Sequence, residues 1–267
     1  LLMSKGIYTK AKTDIYHCED GGSFELTFQQ KAIWFLQKMN PLNPVYNNPS
    51  AVLVKGPLEK EKLRKTFEEI IKRHKILNVG FKEEGGVPIQ YIRHETSLEF
   101  EFIDYTIDEY KKEHGDLKRY INKIASRPFD LLKDSMLRVS LIKIDENEHV
   151  IVINIHHIVS DGWSKGILLK ELAAIYAALE NETNHNLEPM ELQYSDYVRW
   201  LKGKADSNEW KDHLLYWKEK LRGVPSLLEL PTDYTRPAVQ AYKGALLEFA
   251  FEKYEYGRIN FSNGKRK

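Results

Sequence analysis

Cysteine is nearly absent: Cys18 is the only one in 267 residues. An intrachain disulfide is therefore impossible, and a reducing, cytoplasmic setting is expected. Cys18 lies in the polar stretch His17-Cys-Glu-Asp-Gly-Gly22. Nothing near it in sequence would serve a catalytic thiol, so it reads as incidental. An excess of one charge is also missing. The 40 basic and 39 acidic residues leave a net charge of +1. That balance gives no reason to expect nucleic acid or a charged membrane as partner. The closing Gly264-Lys-Arg-Lys267 reads as a solvated end. No apolar run approaches the length of a membrane span. The apolar start Leu1-Leu2-Met3 is too short for a signal peptide core, so the glycosylation sequon at Asn181-Glu-Thr183 carries little meaning. No Gly-x-Gly-x-x-Gly follows a strand, which argues against a dinucleotide fold. There is no internal repeat and no low-complexity tract.

What is present fits a globular chain. Hydrophobic residues make up 42% and charged residues 30%, enough for one large domain or two small ones with a real core. Residues 1–22 are polar and irregular and read as a leader or linker. Helices are expected over Ser23–Met39, Leu58–His74, Glu109–Ser126, Trp163–Leu179, Tyr194–Lys202 and Asn208–Arg222. Strands are expected at Ser50–Lys55, Leu77–Phe81, Pro88–Ile92, Leu98–Ile103, Met136–Ile144 and Ala245–Phe251. Val150–Ile155 is almost continuously apolar and should be a central strand buried on both faces. Helices and strands interleave, which predicts a layered α/β sandwich. The aromatic residues Tyr194, Tyr197, Trp200, Trp210 and Trp217 read as core.

The buried strand runs into Ile155-His-His-Ile-Val-Ser-Asp-Gly-Trp-Ser164. One reading of these histidines is a satisfied core pair. The other is a site. Asp161 and Gly162 follow at short spacing, glycine would permit a tight turn, and the next helix would aim free N–H groups back at the histidines. A base, a carboxylate and an anion-friendly helix terminus are the parts of an acyl-transfer site. No metal is expected, because neighbouring residues of a strand point to opposite faces.

The segment His156–Ser164 resembles the His-His-x-x-x-Asp-Gly signature of condensation domains from non-ribosomal peptide synthetases. That family is a branch of the chloramphenicol acetyltransferase-like acyltransferases. Other segments are similar to the family in the same order. These are Thr27-Phe-Gln-Gln-Lys-Ala-Ile-Trp34, Arg73-His-Lys-Ile-Leu-Asn-Val-Gly-Phe81, Pro128-Phe-Asp-Leu131 and Tyr194-Ser-Asp-Tyr-Val-Arg-Trp200. Leu230-Pro-Thr-Asp233, Arg236-Pro237 and Tyr242-x-Gly244 complete the set. Ala32, Lys75 and Asn78 depart from the family pattern at positions expected to be structural.

The resemblance implies a chloramphenicol acetyltransferase-like α/β sandwich, the first lobe of a two-lobed domain. Residues 23–222 would form the N-terminal lobe, and 223–267 a crossover toward a missing C-terminal lobe. It implies amide formation between aminoacyl or peptidyl thioesters held on phosphopantetheine arms, with no directly bound cofactor. Upstream and downstream peptidyl carrier proteins and an adjacent adenylation domain would be the partners. His157 would accept or orient the amine proton, Asp161 would anchor the loop beside an arginine, and Gly162 with the helix start would face the oxyanion. His156 would make a buried hydrogen bond, Trp163 would wall the pocket, and Ser164 would cap the helix. An epimerisation domain, a free-standing acyltransferase and a non-catalytic interaction lobe are the alternatives. By itself the chain should lack condensation activity and should self-associate through the face left bare.

Overall fold

The computed structural model describes residues 15–16, 22–107, 116–207 and 210–235, together with Pro237, Ala238, Tyr242, Gly244, Leu247 and Ala250. The chain divides into two units, Leu1–Arg222 and Gly223–Lys267.

The first unit holds two sheets. β1 (Ser23–Glu25), β3 (Val79–Glu84) and β4 (Val87–Ile92) form a three-stranded antiparallel sheet in the order β1-β4-β3. β2 (Asn47–Lys55), β5 (Glu99–Asp104), β6 (Leu137–Asp145) and β7 (Glu148–His156) form the second, in the order β2-β7-β6-β5. β7 is flanked by antiparallel neighbours on both sides, and β5 joins β6 in parallel. Pro49 is tolerated because β2 lies at the sheet edge. The helices are α1 (Phe28–Met39), α2 (Lys60–Arg73), α3 (Leu117–Ala125), α4 (Gly162–Glu180), α5 (Tyr194–Asp206) and α6 (Lys211–Lys220).

The period-2 alternation of β7 splits the core. Ile151, Ile153 and Ile155 join Val139 and Leu141 in one cluster with Leu63, Phe67 and Ile70 of α2 and Leu168 and Ile175 of α4. Val150 and Val152 join Ile142, Ile103, Tyr105 and Tyr120 of α3 in another. Every residue of β7 from His149 to His156 is buried, so the central, doubly covered strand is as expected. The last turn of α2 is tied to α4: Glu171 Oε2 accepts from Arg73 Nε at 3.1 Å and lies 2.6 Å from His74 Nε2. Burial raises the Glu171 pKa, but the bonds and charges of His74 and Arg73 outweigh it and hold the carboxyl below its ordinary value.

Several boundaries differ from those read in the sequence. Residues 23–25 are a strand, and α1 starts only at Phe28. A capping box fixes that start: Thr27 Oγ1 accepts from Gln30 N at 3.3 Å, while Gln30 Oε1 accepts from Thr27 N at 3.1 Å. The strand expected from Leu77 begins at Val79. Lys75–Asn78 forms a 3₁₀ turn, and the Asn78 side chain bonds Arg93 O, Glu95 O and Ser97 N, which ties the turn to the chain leaving β4. The helix expected from Glu109 begins at Leu117, capped by Asp116, and residues 108–115 lie outside the described ones. Residues 208–209, where the sixth helix is expected to start, also lie outside them. In α6 no residue is buried; Trp217 there, Trp210 at its N-cap and Tyr197 of α5, all expected in the core, are exposed.

The second unit is irregular where described. Gly223 takes a left-handed φ of 76°, and Thr232 Oγ1 donates to Tyr234 O at 2.9 Å. The strand expected at 245–251 lies outside the described residues except for Leu247 and Ala250, neither of which is in a strand.

Candidate active site

The loop after β7 is built by backbone bonds. His156 N donates to Met136 O at 3.0 Å and His157 N donates to Tyr46 O at 2.8 Å. Val159 N and Ser160 Oγ both donate to His156 O, at 3.1 and 3.3 Å, and this closes a tight turn. The turn sends the two histidines to different environments. His156 is 1% exposed, and its Nδ1 accepts from Ile158 N at 3.1 Å. Phe129 meets its ring edge-on at 5.5 Å and Tyr46 lies at 6.2 Å. Burial, then the charges of His157 and Arg138, push its pKa down to about 3. His156 is therefore neutral at ordinary pH, with Nδ1 as acceptor and the remaining proton on Nε2. That Nε2 atom has no hydrogen-bond partner among the described residues. The expected buried hydrogen bond of His156 is thus the one to Ile158 N. His157 is exposed beyond the strand end.

Asp161 is the N-cap of α4. Its Oδ1 accepts from Ser164 N at 2.8 Å and from Ser164 Oγ at 2.7 Å, and Ser164 Oγ in turn accepts from Asp161 N at 3.3 Å. The Ser164 hydroxyl and backbone N–H hold the Asp161 carboxyl below its usual range. Among the described residues no arginine pairs with Asp161; the reciprocal cap with Ser164 fixes it locally. Gly162 is the first residue of α4, with φ outside the left-handed region, and a Cβ there would meet nothing within 4 Å. The expected reason for glycine, a turn that a side chain would obstruct, is therefore not found. The space above the helix start is open instead. Trp163, expected as a pocket wall, is 81% exposed.

Residues far away in sequence support the loop. Arg138 is buried, donates to Arg127 O and Pro128 O, and stacks 3.8 Å from the centroid of Phe129, the ring that packs on His156. Gln30 Nε2 donates to Ile158 O at 3.2 Å, and Tyr194 Oη lies 3.3 Å from Thr27 Oγ1. Sequence patterns assign Gln30 no role; its place in the Thr27–Trp34 segment is the one signal pointing to it. For Gln90, its partner, there is none. An apolar cavity of about 110 Å³ lies beside the loop, lined by Ile76, Leu77, Val159, Ser160, Ser164 and Ile167 among others. A larger cavity of about 590 Å³, walled by Trp34, Leu42, Phe129 and Leu132, does not include His157 in its lining. Among the described residues no group of three or more His, Cys, Asp or Glu is placed to hold a metal, and no helix is long and apolar enough to cross a membrane.

A base-bearing side chain thus stands exposed at the end of a rigid strand, next to an uncrowded helix N-terminus. Known proteins are similar to this chain in sequence and in fold. Residues 21–260 match the family profile described as Condensation domain. A linear gramicidin synthase polypeptide from Brevibacillus parabrevis is 36% identical over 241 residues, which is 90% of this chain and 3% of that protein. Phosphinothricin tripeptide synthetase PhsC from Streptomyces viridochromogenes is 32% identical over 232 residues, 87% of this chain and 21% of that protein. The chain therefore spans a small part of the curated relatives it matches. Among solved structures, the starter condensation domain of rhizomide synthetase RzmA shares the fold with a TM-score of 0.69 at 18% identity, over 77% of this chain and 49% of that one. The X-domain from teicoplanin biosynthesis does so with a TM-score of 0.68 at 24% identity, over 84% and 49%. With a profile match across most of its length and relatives above 30% identity, this chain belongs to the condensation-domain family of non-ribosomal peptide synthetases.

Proposed function

We propose that this sequence supplies the catalytic lobe of an amide-forming condensation domain. Its substrates are aminoacyl or peptidyl thioesters carried on the phosphopantetheine arms of an upstream and a downstream carrier protein, and an adenylation domain in the same cytoplasmic assembly loads them. The amine of the downstream substrate attacks the upstream thioester carbonyl. A C–N bond forms, the C–S bond breaks, and the upstream thiol leaves. His157 takes the proton released by the attacking nitrogen, and that proton ends on the departing thiolate. A thioester is already activated, so holding amine and carbonyl in line carries much of the acceleration. Asp161 and Ser164 keep the start of α4 wound, and its free N–H groups beside the open Gly162 face the developing oxyanion.

The observation that carries this reading is the contrast between the two histidines: His156 is locked and neutral inside, while His157 is presented outside on a backbone tied to Tyr46. The test is His157→Ala in the full-length protein with defined carrier-bound substrates. Amide formation should fall by about 10²–10⁴-fold with the fold unchanged by circular dichroism. A variant that condenses at the wild-type rate removes His157 from the mechanism. A second reading, a non-catalytic interaction lobe, draws on the likeness to the teicoplanin X-domain, which has been solved in complex with OxyB. Absence of turnover with every carrier pair offered to the wild-type protein would favour it.

A further inference from the structure

Two glutamine side chains meet in the interior, Gln30 of α1 and Gln90 of β4, at 2% and 0% exposure. Each amide has two N–H donors and one carbonyl acceptor. Gln30 Nε2 donates to Gln90 Oε1 at 3.1 Å and to Ile158 O at 3.2 Å. Gln90 Nε2 donates to Gln30 Oε1 at 2.8 Å and to Glu25 O at 2.9 Å. Gln30 Oε1 also accepts from Thr27 N at 3.1 Å. All four N–H groups of the pair are used, and both carbonyls are occupied. An unsatisfied amide at such depth is strongly unfavourable, whereas a fully connected network is stable and directional. An apolar pair of similar volume would fill the same space without setting the direction of any neighbouring group. The amide pair does set one: the carbonyl of Ile158, the residue directly after His157 and 128 positions from Gln30. On the other side, His157 N is tied to Tyr46 O. The backbone that carries His157 is thus gripped at its own N–H and again at the next carbonyl.

We propose that Gln30, held in register by Gln90, is a positioning residue for His157. It fixes the turn at Ile158 and thereby the direction in which the imidazole leaves the strand end. Neither glutamine touches the exposed surface of the loop, so neither contacts substrate. The proposal rests on His157 acting in the amide-forming reaction described above, and the test separates the two.

Gln30→Glu keeps the shape and the acceptor for Thr27 N but replaces the Nε2 donor, so that Ile158 O and Gln90 Oε1 both lose their N–H from residue 30 and face a carboxyl oxygen instead. In the full-length protein, single-turnover amide formation by this variant should slow by roughly 10–100-fold, the scale of a small misplacement of a reacting group. The KM for the carrier-bound donor should change by less than about twofold, because binding surfaces are untouched. In a His157→Ala background the same substitution should produce no further loss. A folded Gln30→Glu variant that reacts at the wild-type rate overturns the proposal. So does an equal loss in the His157→Ala background, since Gln30 would then act elsewhere. A wild-type rate for His157→Ala alone overturns the catalytic reading beneath it, and that outcome is visible before Gln30 is altered. If Gln30→Glu does not fold, Gln90→Met decides by the same comparisons. It frees the Gln30 amide from its anchor without touching the loop.

Discussion

Burial keeps His156 neutral far into the acid range, since its pKa falls from 6.5 to about 3. An unfolded chain regains the ordinary value, so between those two points the unfolded state binds the extra proton. The stabilising effect of the neutral, buried ring is complete above about pH 6.5 and is lost as the pH falls toward 3. Each pH unit inside that window is worth about 1.4 kcal/mol. His149, whose pKa burial also lowers, acts in the same direction. The carboxyls of Asp161 and Glu171, with lowered values, contribute only below about pH 4–4.5, where their unfolded forms begin to protonate. The interval from pH 6.5 to 5 therefore isolates the histidines. Calorimetry should show the melting temperature declining across it. His156→Asn, whose amide oxygen can still accept from Ile158 N, should flatten that decline without abolishing it. An unchanged slope in the variant would assign the acid sensitivity to other groups.

Among the elements, α4 matters most to the site, because its first turn borders the histidine loop. Asp161→Ala removes the cap and should cost about 1 kcal/mol of stability. For a domain of this size that is a drop of about 2–4 °C in melting temperature. A variant melting at the wild-type temperature would mean that Ser164 or solvent satisfies the helix end unaided. The elements also mark where sequence patterns inform and where they fail. α2 and β7 are legible because burial imposes a period on residue type: Leu63, Phe67, Ile70 and Ile71 recur at helical spacing, and Val150–Ile155 has no polar gap until Asn154. Boundaries shift where a side chain captures backbone groups, as Thr27 and Asn78 do, because such captures depend on partners rather than on local pattern. In the site, His156, His157 and Asp161 stand out by adjacency. The Gln30–Gln90 pair does not, because its members are 60 positions apart and only the fold brings them together. Aromatic richness in 208–222 indicates burial but not what would supply it.

At the scale of the molecule, Leu214, Leu215, Tyr216 and Trp217 of α6 and Leu221 just after it are each more than half exposed. Exposed apolar side chains in such number promote association. A polypeptide of these 267 residues is therefore expected to self-associate in light scattering. A monodisperse monomer would show that these side chains do not drive association. The sheet has a further consequence, for how the protein is made. β2 pairs with β7 along its full length, from Asn47 against His156 to Lys55 against Glu148. During synthesis β2 leaves the ribosome long before its partner exists. At roughly 5–20 residues per second, the roughly 100 residues between them take on the order of 5–20 s to appear. For that interval the nascent chain carries an unpaired strand edge, open to pairing with other chains, and Tyr46 and Gln30 wait for the histidine loop they will hold. Chaperone demand should peak in that window, and slowing translation before residue 148 should lower the soluble yield.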